Sequence, residues 1–398
     1  MAGRAGDPKL ALFVAEGRAA GYGHGVGLSR RSLLLAPALT ASALLWPGPR
    51  RPLSAGARDS ERRRGRAIQR GLTFVDRVAA DPKYFSDNGD DLLWFYFTIS
   101  ANAADRDLRA RALRLGRARA RQWRQANPRV PADGLSADLV GALVSGSYAA
   151  DQLGVPDREI KLQLRRAVTA FTAMDFLMFD PLNEPVPSDV PETCATCGHG
   201  NARGARVCST CQSPLVMRSP YDVLCDALIT TYTGERYGIV LGAHYADVTR
   251  WLPAMRPYPA GKTETAAFDD VAYAVTHVIY TLNDYSAWRL RPEWLPDEFR
   301  FLKSNLTQLL AGNDPETLGE FLETLRSFGV TENDADMRAG VEFLLARQND
   351  DGSWGDRDNP SIYTRYHTTW TAMNGLMEYA WRGEGVSFPD ALTRARGA

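Results

Sequence analysis

The sequence lacks several features that would assign the chain to a class at once. Lysine plus arginine equals aspartate plus glutamate at 47 each, so there is none of the basic excess typical of dedicated nucleic-acid-binding proteins. No stretch alternates apolar and polar residues as a half-buried strand does. No apolar run reaches the roughly 20 residues that a membrane-spanning helix needs. With 398 residues, 44% of them hydrophobic, the chain can still bury a large core, and we expect no nucleic-acid partner.

The longest apolar run near the amino terminus, residues 33–46, directly follows Arg30, Arg31 and Ser32. A charged segment followed by a short apolar segment is typical of a cleavable export signal. Paired arginines in this position resemble the twin-arginine signal, whose pathway exports proteins already folded around their cofactors. We therefore predict a leader over residues 1–57 and an exported protein, periplasmic or extracellular, that meets a membrane only through an uncleaved leader. The alternative is an arginine-rich leader with a chance apolar stretch.

Beyond residue 57 the apolar residues recur at helical spacing. Ile68, Leu72 and Val75 fall on one helix face, and residues 135–143 and 337–345 repeat the pattern. Proline and glycine signals divide the remaining chain into roughly a dozen helical segments. A succession of helices without strands predicts an all-α array or a closed double ring of helices, with a bundle as the alternative.

Four of the five cysteines form a compact cluster in the sequence. Cys194 and Cys197 make one C-x-x-C pair, and Cys208 and Cys211 make a second pair ten residues later. This spacing predicts a zinc ribbon, here over residues 188–216, in which two tight turns present four thiolates to one tetrahedral Zn²⁺. Two disulfides are the alternative, which export would favour. Because four sulfur ligands leave no open coordination position, the predicted zinc is structural.

A short carboxy-terminal pattern carries a family resemblance. Residues 348–355 read QNDDGSWG, a Q-x-x-x-G-x-W repeat, and Tyr366, His367 and Thr368 open a helix soon afterwards. Residues 337–379 thereby resemble the superfamily of terpenoid cyclases and protein prenyltransferase β-subunits. The resemblance implies an (α/α)6 toroid of six inner and six outer helices, built here from residues 58–187 and 217–398 around the inserted ribbon. It also implies that His367 is a ligand of a catalytic metal.

The sequence departs from both branches of that superfamily. The Asp-x-Cys pair that completes the prenyltransferase zinc site has no counterpart upstream of residue 348. The Asp-x-Asp-Asp acid motif of the cyclases is approached only by residues 334–337, which read DADM. Neither family's chemistry is therefore expected to transfer intact.

The five histidines of the chain suggest a second metal centre. Three of them, His244, His277 and His367, lie on separate predicted helices. Three neutral imidazoles can bind zinc, copper or iron and leave positions for water, oxygen or substrate. Asp247 and Asp284, one and two turns from the first two histidines, are candidate catalytic acceptors or further ligands. The alternative is that each histidine is a hydrogen-bonded core residue.

These features support three functional hypotheses. The first is a metal-dependent enzyme, with an oxidoreductase slightly favoured, acting on a small-molecule or peptide substrate at the three-histidine centre. The second is a cyclase or transferase acting on an isoprenoid in an aromatic-lined cavity, as the resemblance implies. The third is a non-catalytic binding protein that uses the ribbon as its contact surface.

Overall fold

The computed structural model describes residues 55–259, 261 and 265–397, and within them the chain is mostly helical. The predicted leader, residues 1–57, lies outside this part except for its last three residues, which already belong to the first helix. Two 3-10 turns, Val168–Ala170 and Pro292–Trp294, supplement the α-helices. The α-helices are α1 (Ala55–Ala80), α2 (Pro82–Asn102), α3 (Arg106–Ala126), α4 (Ala137–Gln152), α5 (Arg158–Ala167), α6 (Ala173–Leu177), α7 (Pro220–Tyr237), α8 (Tyr245–Thr249), α9 (Leu252–Met255), α10 (Ala266–Leu282), α11 (Pro296–Ala311), α12 (Pro315–Ser327), α13 (Ala335–Arg347), α14 (Ile362–Leu376) and α15 (Pro389–Ala395).

The all-α prediction is confirmed, since β structure in the described residues is limited to isolated bridges. Helix starts follow local signals that the sequence displays. Asp81 and Asp314 each accept hydrogen bonds from the first turn of the helix that follows, and each precedes a proline at the first helical position.

None of the described helices combines the length and the apolar character needed to cross a bilayer.

Six of the helices contact one another in a closed order. Helix α2 packs against α4, α4 against α7, and α7 against α10; α10 then packs against α12, α12 against α14, and α14 against α2. Five further helices each pack against at least one of these six, namely α1, α3, α5, α11 and α13. Side chains packed among these six helices are therefore held by several different helices at once.

The tightest packing in the cycle lies between α12 and α14. A Cβ atom added at Gly375 would lie 2.9 Å from the Cα of Gly319, and one added at Gly319 would overlap the carbonyl oxygen of Thr371. The two helices thus approach backbone to backbone at this crossing. This close approach fixes the side chains of α12 relative to those of α14.

The Q-x-x-x-G-x-W segment joins α13 and α14 to α1. The Gln348 amide nitrogen donates to the carbonyl oxygens of Ala67 and Gly352, at 2.8 and 3.0 Å, and the indole nitrogen of the fully buried Trp354 donates to Leu344. Gly352 has φ +93° and packs against the backbone of α1, where a side chain would clash. The contacts of this motif are therefore those of a structural clamp.

The four-cysteine segment is inserted between α6 and α7. An antiparallel bridge pairs Pro191 with Met217, and a second bridge joins Val207 to Pro214 inside the segment. The backbone nitrogen of Arg218 donates to the carbonyl of Val190 at 2.8 Å. The two ends of the insertion therefore lie side by side.

Candidate active site and cysteine cluster

Three glutamates of α12 point to one side of that helix. Glu316, Glu320 and Glu323 are four and three residues apart, the spacing that places side chains on one helix face. Glu320 and Glu323 are 2% and 3% exposed, and the Glu316 side chain is 13% exposed. Because carboxylates are costly to remove from water, a buried row of three indicates a built polar site.

Glu316 is the centre of a hydrogen-bond cluster. Its Oε1 atom lies 2.9 Å from Nδ1 of His367 and also accepts a hydrogen bond from the Tyr273 hydroxyl. Its Oε2 atom accepts from Thr368 at 2.6 Å. Burial alone would lower the pKa of His367, but the charge and hydrogen bond of Glu316 more than offset this and raise the pKa to about 9. His367 and Glu316 therefore form an ion pair at neutral pH.

The pairing of His367 through Nδ1 leaves its other ring nitrogen, Nε2, without a hydrogen-bond partner among the described residues. The imidazole stacks on the ring of Tyr363 at a centroid distance of 5.1 Å. Its side chain is 13% exposed, so the ring is still reached by water. The carboxylate and the tyrosine together fix the plane of the imidazole.

His277, on α10, lies in the electrostatic field of His367. Its Nδ1 atom lies 2.8 Å from the carbonyl oxygen of Tyr273, so Nδ1 carries the proton. Burial and, to a lesser extent, the positive charge of His367 lower the pKa of His277 to about 4, against the opposing effect of the Tyr273 carbonyl. His277 is thus a neutral imidazole at pH 7, with its Nε2 lone pair unprotonated.

Glu320 has the opposite protonation state to Glu316. Burial raises the pKa of Glu320 to about 8, although the charge of His367 and the Thr276 hydroxyl, which donates to Oε2 at 2.6 Å, both lower it. Glu320 is therefore a neutral carboxylic acid at pH 7. Two glutamates one helical turn apart thus differ in charge because only Glu316 is paired with a histidine.

Helix α2 adds two further acids to this cluster. The Tyr366 hydroxyl donates to Asp91 at 2.7 Å. Burial raises the pKa of Asp91 above its usual value, although the charge of His367 and the Tyr366 hydrogen bond both act to lower it. Burial, together with the neighbouring Asp91, raises the pKa of Asp90 to about 7. Both residues follow a break in α2 at Asn88, where the backbone leaves helical geometry. They therefore lie at the start of a new straight segment of the helix.

The first two turns of α7 continue the acidic lining. Asp222 and Asp226 both contact the guanidinium of Arg218, with the Asp222 bond at 2.8 Å. Burial and the charge of Asp222 raise the pKa of Asp226, and Arg218 opposes this. The field of Asp226 reaches Tyr363, which also feels Asp91, Glu316 and Glu320. Acids from the middle of α2 and from the first two turns of α7 and α12 therefore lie around one region, which we call the acidic mouth (Asp90, Asp91, Asp222, Asp226, Glu316 and Glu320).

A left-handed turn lies at the carboxy-terminal end of α10. Asp284, Tyr285 and Ser286 all have positive φ, at 58°, 49° and 67°, a conformation that L-residues other than glycine rarely adopt. Asn102 holds the turn, because its side-chain amide donates to the Tyr285 carbonyl at 2.7 Å. The turn places the ring of Tyr285 in a stacked arrangement on the ring of Tyr280. The Ser286 hydroxyl donates to Glu323 at 2.7 Å, which connects the turn to the glutamate row.

The two aspartates predicted as catalytic occupy structural positions. Asp284 accepts hydrogen bonds from the Tyr232 hydroxyl at 2.7 Å and from Arg236 at 3.0 Å, and it also pairs with Arg382. Asp247 accepts from the backbone nitrogen of His244 as part of the cap of α8. Neither aspartate contacts His277 or His367.

The structure does not bring the three predicted histidine ligands together. His244 is the cap residue of α8, its side chain is 60% exposed, and its Nδ1 lies 3.7 Å from Glu235. Within the described part of the chain, the cysteine cluster is the one group of three or more His, Cys, Asp or Glu whose potential ligand atoms all lie within 4.8 Å of one another. His277 and His367 instead belong to the carboxylate cluster.

The four cysteines meet as the spacing predicts. Cys194 and Cys211 have Sγ atoms 3.4 Å apart, and those of Cys197 and Cys208 are 3.6 Å apart. All four are free thiols, and these distances exceed a disulfide bond length of about 2.05 Å. The thiol set fits a tetrahedral Zn²⁺, since four sulfur donors from two tight turns converge on one point.

Comparisons with known proteins assign no family to this chain. No protein-family model, no curated protein and no solved structure matches it.

Sequence reasoning missed the glutamates that organise the site. The available signal was their spacing on α12, where Glu316, Glu320 and Glu323 share a face. On an isolated amphipathic helix that pattern usually marks the solvent side. Only the packing of α12 into the closed cycle shows that this face is enclosed.

Proposed function

We propose that this protein is an enzyme that works by general acid–base catalysis at the acidic mouth of a ring of helices. The observation that carries the proposal is the 2.9 Å contact between Nδ1 of His367 and Oε1 of Glu316. A histidine that is oriented by a carboxylate through one ring nitrogen, while its other ring nitrogen has no hydrogen-bond partner among the described residues, is an arrangement suited to proton transfer. His367 and Glu316 form the proton-transfer pair in this proposal.

Glu320 supplies the second function, that of a neutral acid. A protonated carboxyl that is adjacent to an ionised one allows the site to donate and accept protons at the same pH. His277 lies in the same field as a neutral imidazole and is the candidate base. His277, Glu320 and His367 come from α10, α12 and α14 respectively. The packing of these three helices therefore positions the three side chains for one substrate.

The lining favours a neutral substrate that becomes cationic during the reaction. Tyr273, Tyr285 and Tyr363 are partly accessible among the carboxylates, and tyrosine faces and carboxylates both stabilise positive charge. Protonation of an isoprenoid followed by cyclisation is such a reaction. The resemblance of residues 337–379 to terpenoid cyclases supports the same substrate class, and we infer that the closed cycle of helices is the α/α toroid of that superfamily.

We further propose that the cysteine cluster binds one structural Zn²⁺. The three-histidine centre with zinc, copper or iron, which would make the protein an oxidoreductase, needs His244 beside the other two histidines, and the exposed position of His244 argues against it. The two proposals differ in metal stoichiometry. Elemental analysis of purified protein is expected to give one zinc per chain, whereas a second metal that disappears in the His244→Ala variant would support the oxidoreductase.

The activity test uses the neutral isoprenoids squalene and 2,3-epoxysqualene as probes, with products identified by mass spectrometry. His367→Gln, Glu316→Gln and Glu320→Gln are each expected to lower turnover by a factor of about 10²–10⁴. His244→Gln is the matched control and is expected to retain full activity. Turnover that survives in both His367→Gln and Glu320→Gln contradicts the acid–base proposal. Absence of product from every probe rejects the isoprenoid substrate class.

A further inference from the structure

The four-cysteine segment is joined directly to one wall of the acidic mouth. Its two ends, residues 190–192 and residues 216–218, pair as short antiparallel strands through two backbone hydrogen bonds of 2.8 Å. We call these residues the strand pair. Helix α7, which supplies two acids of the mouth, begins at Pro220, two residues after the strand pair ends.

Arg218 connects the strand pair to those two acids. Its backbone nitrogen donates to the Val190 carbonyl at 2.8 Å. Its guanidinium donates from Nε to Asp222 at 2.8 Å and from Nη2 to the Asp226 carboxylate. The side chain of Arg218 is 11% exposed, whereas that of Asp226 is 44% exposed. The guanidinium is therefore enclosed, while the acid that it holds remains accessible.

The cysteines themselves form most of the buried interior of the segment. Between residues 192 and 216 the buried residues are Cys194, Asn201 and Cys208. When a small segment has so little apolar interior, the binding free energy of its metal ion is also its folding free energy. We therefore expect the segment to unfold when the proposed Zn²⁺ is removed.

A further contact ties the middle of the segment to the residues that precede the strand pair. Arg203 forms ion pairs with Glu184 and Asp189, both at 2.6 Å. The backbone nitrogen of Gly204 also donates to the Asp189 carbonyl at 2.8 Å. Unfolding of the segment therefore removes support from the first strand of the pair as well as from the second.

The charge state of Asp226 depends on this arrangement. Burial raises its pKa, and the charges of Asp222 and of Asp138 on α4 raise it as well, whereas the charge and hydrogen bond of Arg218 lower it. The charge of Asp226 acts in turn on Tyr363 of α14. Arg218 is thus the group that favours the ionised form of Asp226.

We propose that metal binding by the four cysteines controls the acidic mouth through Arg218. With the ion bound, the strand pair is closed and holds the guanidinium against Asp222 and Asp226. Without the ion, the strand pair opens and the two acids lose their cationic partner. The inference rests on the proposed function for its consequence, which is a change of charge in the site of catalysis. The mouth needs the closed strand pair and not the particular residues between its strands.

The pKa of Asp226 measures this coupling without any turnover. It is followed by NMR of the full chain with isotope-labelled aspartate carboxyl groups, and the Asp226→Asn variant assigns the resonance. Removal of zinc from the wild type with a chelator should raise this pKa by about 1 or more, and added Zn²⁺ should restore it. Arg218→Gln should raise it by a similar amount while zinc stays bound. Arg218→Lys, which keeps a cation, should recover most of the difference.

The matched control keeps the strand pair closed without a metal ion. Replacement of residues 193–215 by Asn-Gly removes all four cysteine ligands and joins the two strands in a tight hairpin. The pKa of Asp226 in this variant should match that of the zinc-bound wild type and should not respond to the chelator. Circular dichroism of each variant checks that it is folded.

Two results would overturn the proposal. One is an unchanged Asp226 pKa in the zinc-free wild type, and the other is an equal chelator effect in the hairpin variant. Because these measurements use no substrate, a failure of this coupling is distinguished from a failure of the proposed acid–base activity.

Discussion

The Nδ1 atom of His367 lies 2.9 Å from Oε1 of Glu316, and this contact links helix α14 to helix α12. The pKa of His367 is raised from 6.5 to about 9, so its contribution to stability is complete below pH 6.5 and is lost as the pH rises through 9. The pKa of Glu316 is lowered, so its contribution is present above pH 4.5 and is lost as the pH falls through the folded-state value. The pair is therefore strongest between about pH 5 and 8.

The first prediction concerns this pair. Glu316→Gln should lower the free energy of unfolding at pH 7 by about 1–3 kcal/mol, because the buried histidine loses its charged partner. The same substitution should lower the pKa of His367, which histidine NMR titration measures directly. An unchanged His367 pKa in the variant would contradict the assigned pairing. Glu342→Gln, at an exposed position, is the control and should leave the titration unaffected.

The second prediction concerns Glu320. Its pKa is about 8 in the folded protein and 4.5 when unfolded, so the folded state loses stability as the pH rises from 4.5 to 8. Glu320→Gln resembles the neutral acid in shape and removes this titration. The variant should therefore be close to the wild type in stability at pH 5 and more stable than it at pH 8. Denaturant titrations at the two pH values measure the difference, and Glu293→Gln on the surface should show none.

The third prediction concerns the cysteine cluster. Cys194→Ser and Cys208→Ser should each lose the single zinc that we expect elemental analysis to find in the wild type, since three thiolates bind the ion far less tightly. Cys225→Ser, a buried cysteine outside the cluster, should keep it. Zinc retained at full stoichiometry by either cluster variant would rule out the four-sulfur site. Disulfides would instead show up as a loss of free thiols in the native protein.

The fourth prediction concerns the crossing of α12 and α14. Gly319→Ala should destabilise the protein by about 1–3 kcal/mol, because its methyl group would meet backbone atoms of α14 that cannot move aside cheaply. Gly141→Ala, inside α4 with no atom near the new methyl group, is the matched control. It should be neutral or stabilising by up to about 1 kcal/mol. Equal effects of the two substitutions in thermal or chemical unfolding would contradict the close approach.

Local signals made parts of the structure predictable from sequence. The Asp81-Pro82 and Asp314-Pro315 pairs predict helix starts because the cap and the proline act within one turn. The cysteine spacing predicts a cluster for the same reason, since each C-x-x-C turn is built from neighbouring residues. The apolar residues around His244 suggested that it lies within a helix and points inward. In the structure α8 begins only at Tyr245, and His244 is the exposed cap residue of that helix.

The acidic mouth depends on contacts that are distant in sequence. Glu316 becomes the partner of His367 only when α12 and α14 cross at Gly319 and Gly375, and no periodicity within either helix encodes that meeting. The Q-x-x-x-G-x-W segment directly precedes the helix that carries His367, but its own contacts do not belong to the acidic mouth. Its own residues clamp α1, while the histidine that follows it enters the site.

The side-by-side ends of the cysteine insertion have an evolutionary consequence. Because Val190 and Arg218 are hydrogen-bonded neighbours, the surrounding helices need only a tight connection at this point, and the module between them is free to vary in length and content. Lineages could gain, exchange or delete such a module without repacking the helices. A homologue in which a short hairpin replaces the ribbon should therefore keep the acidic mouth intact.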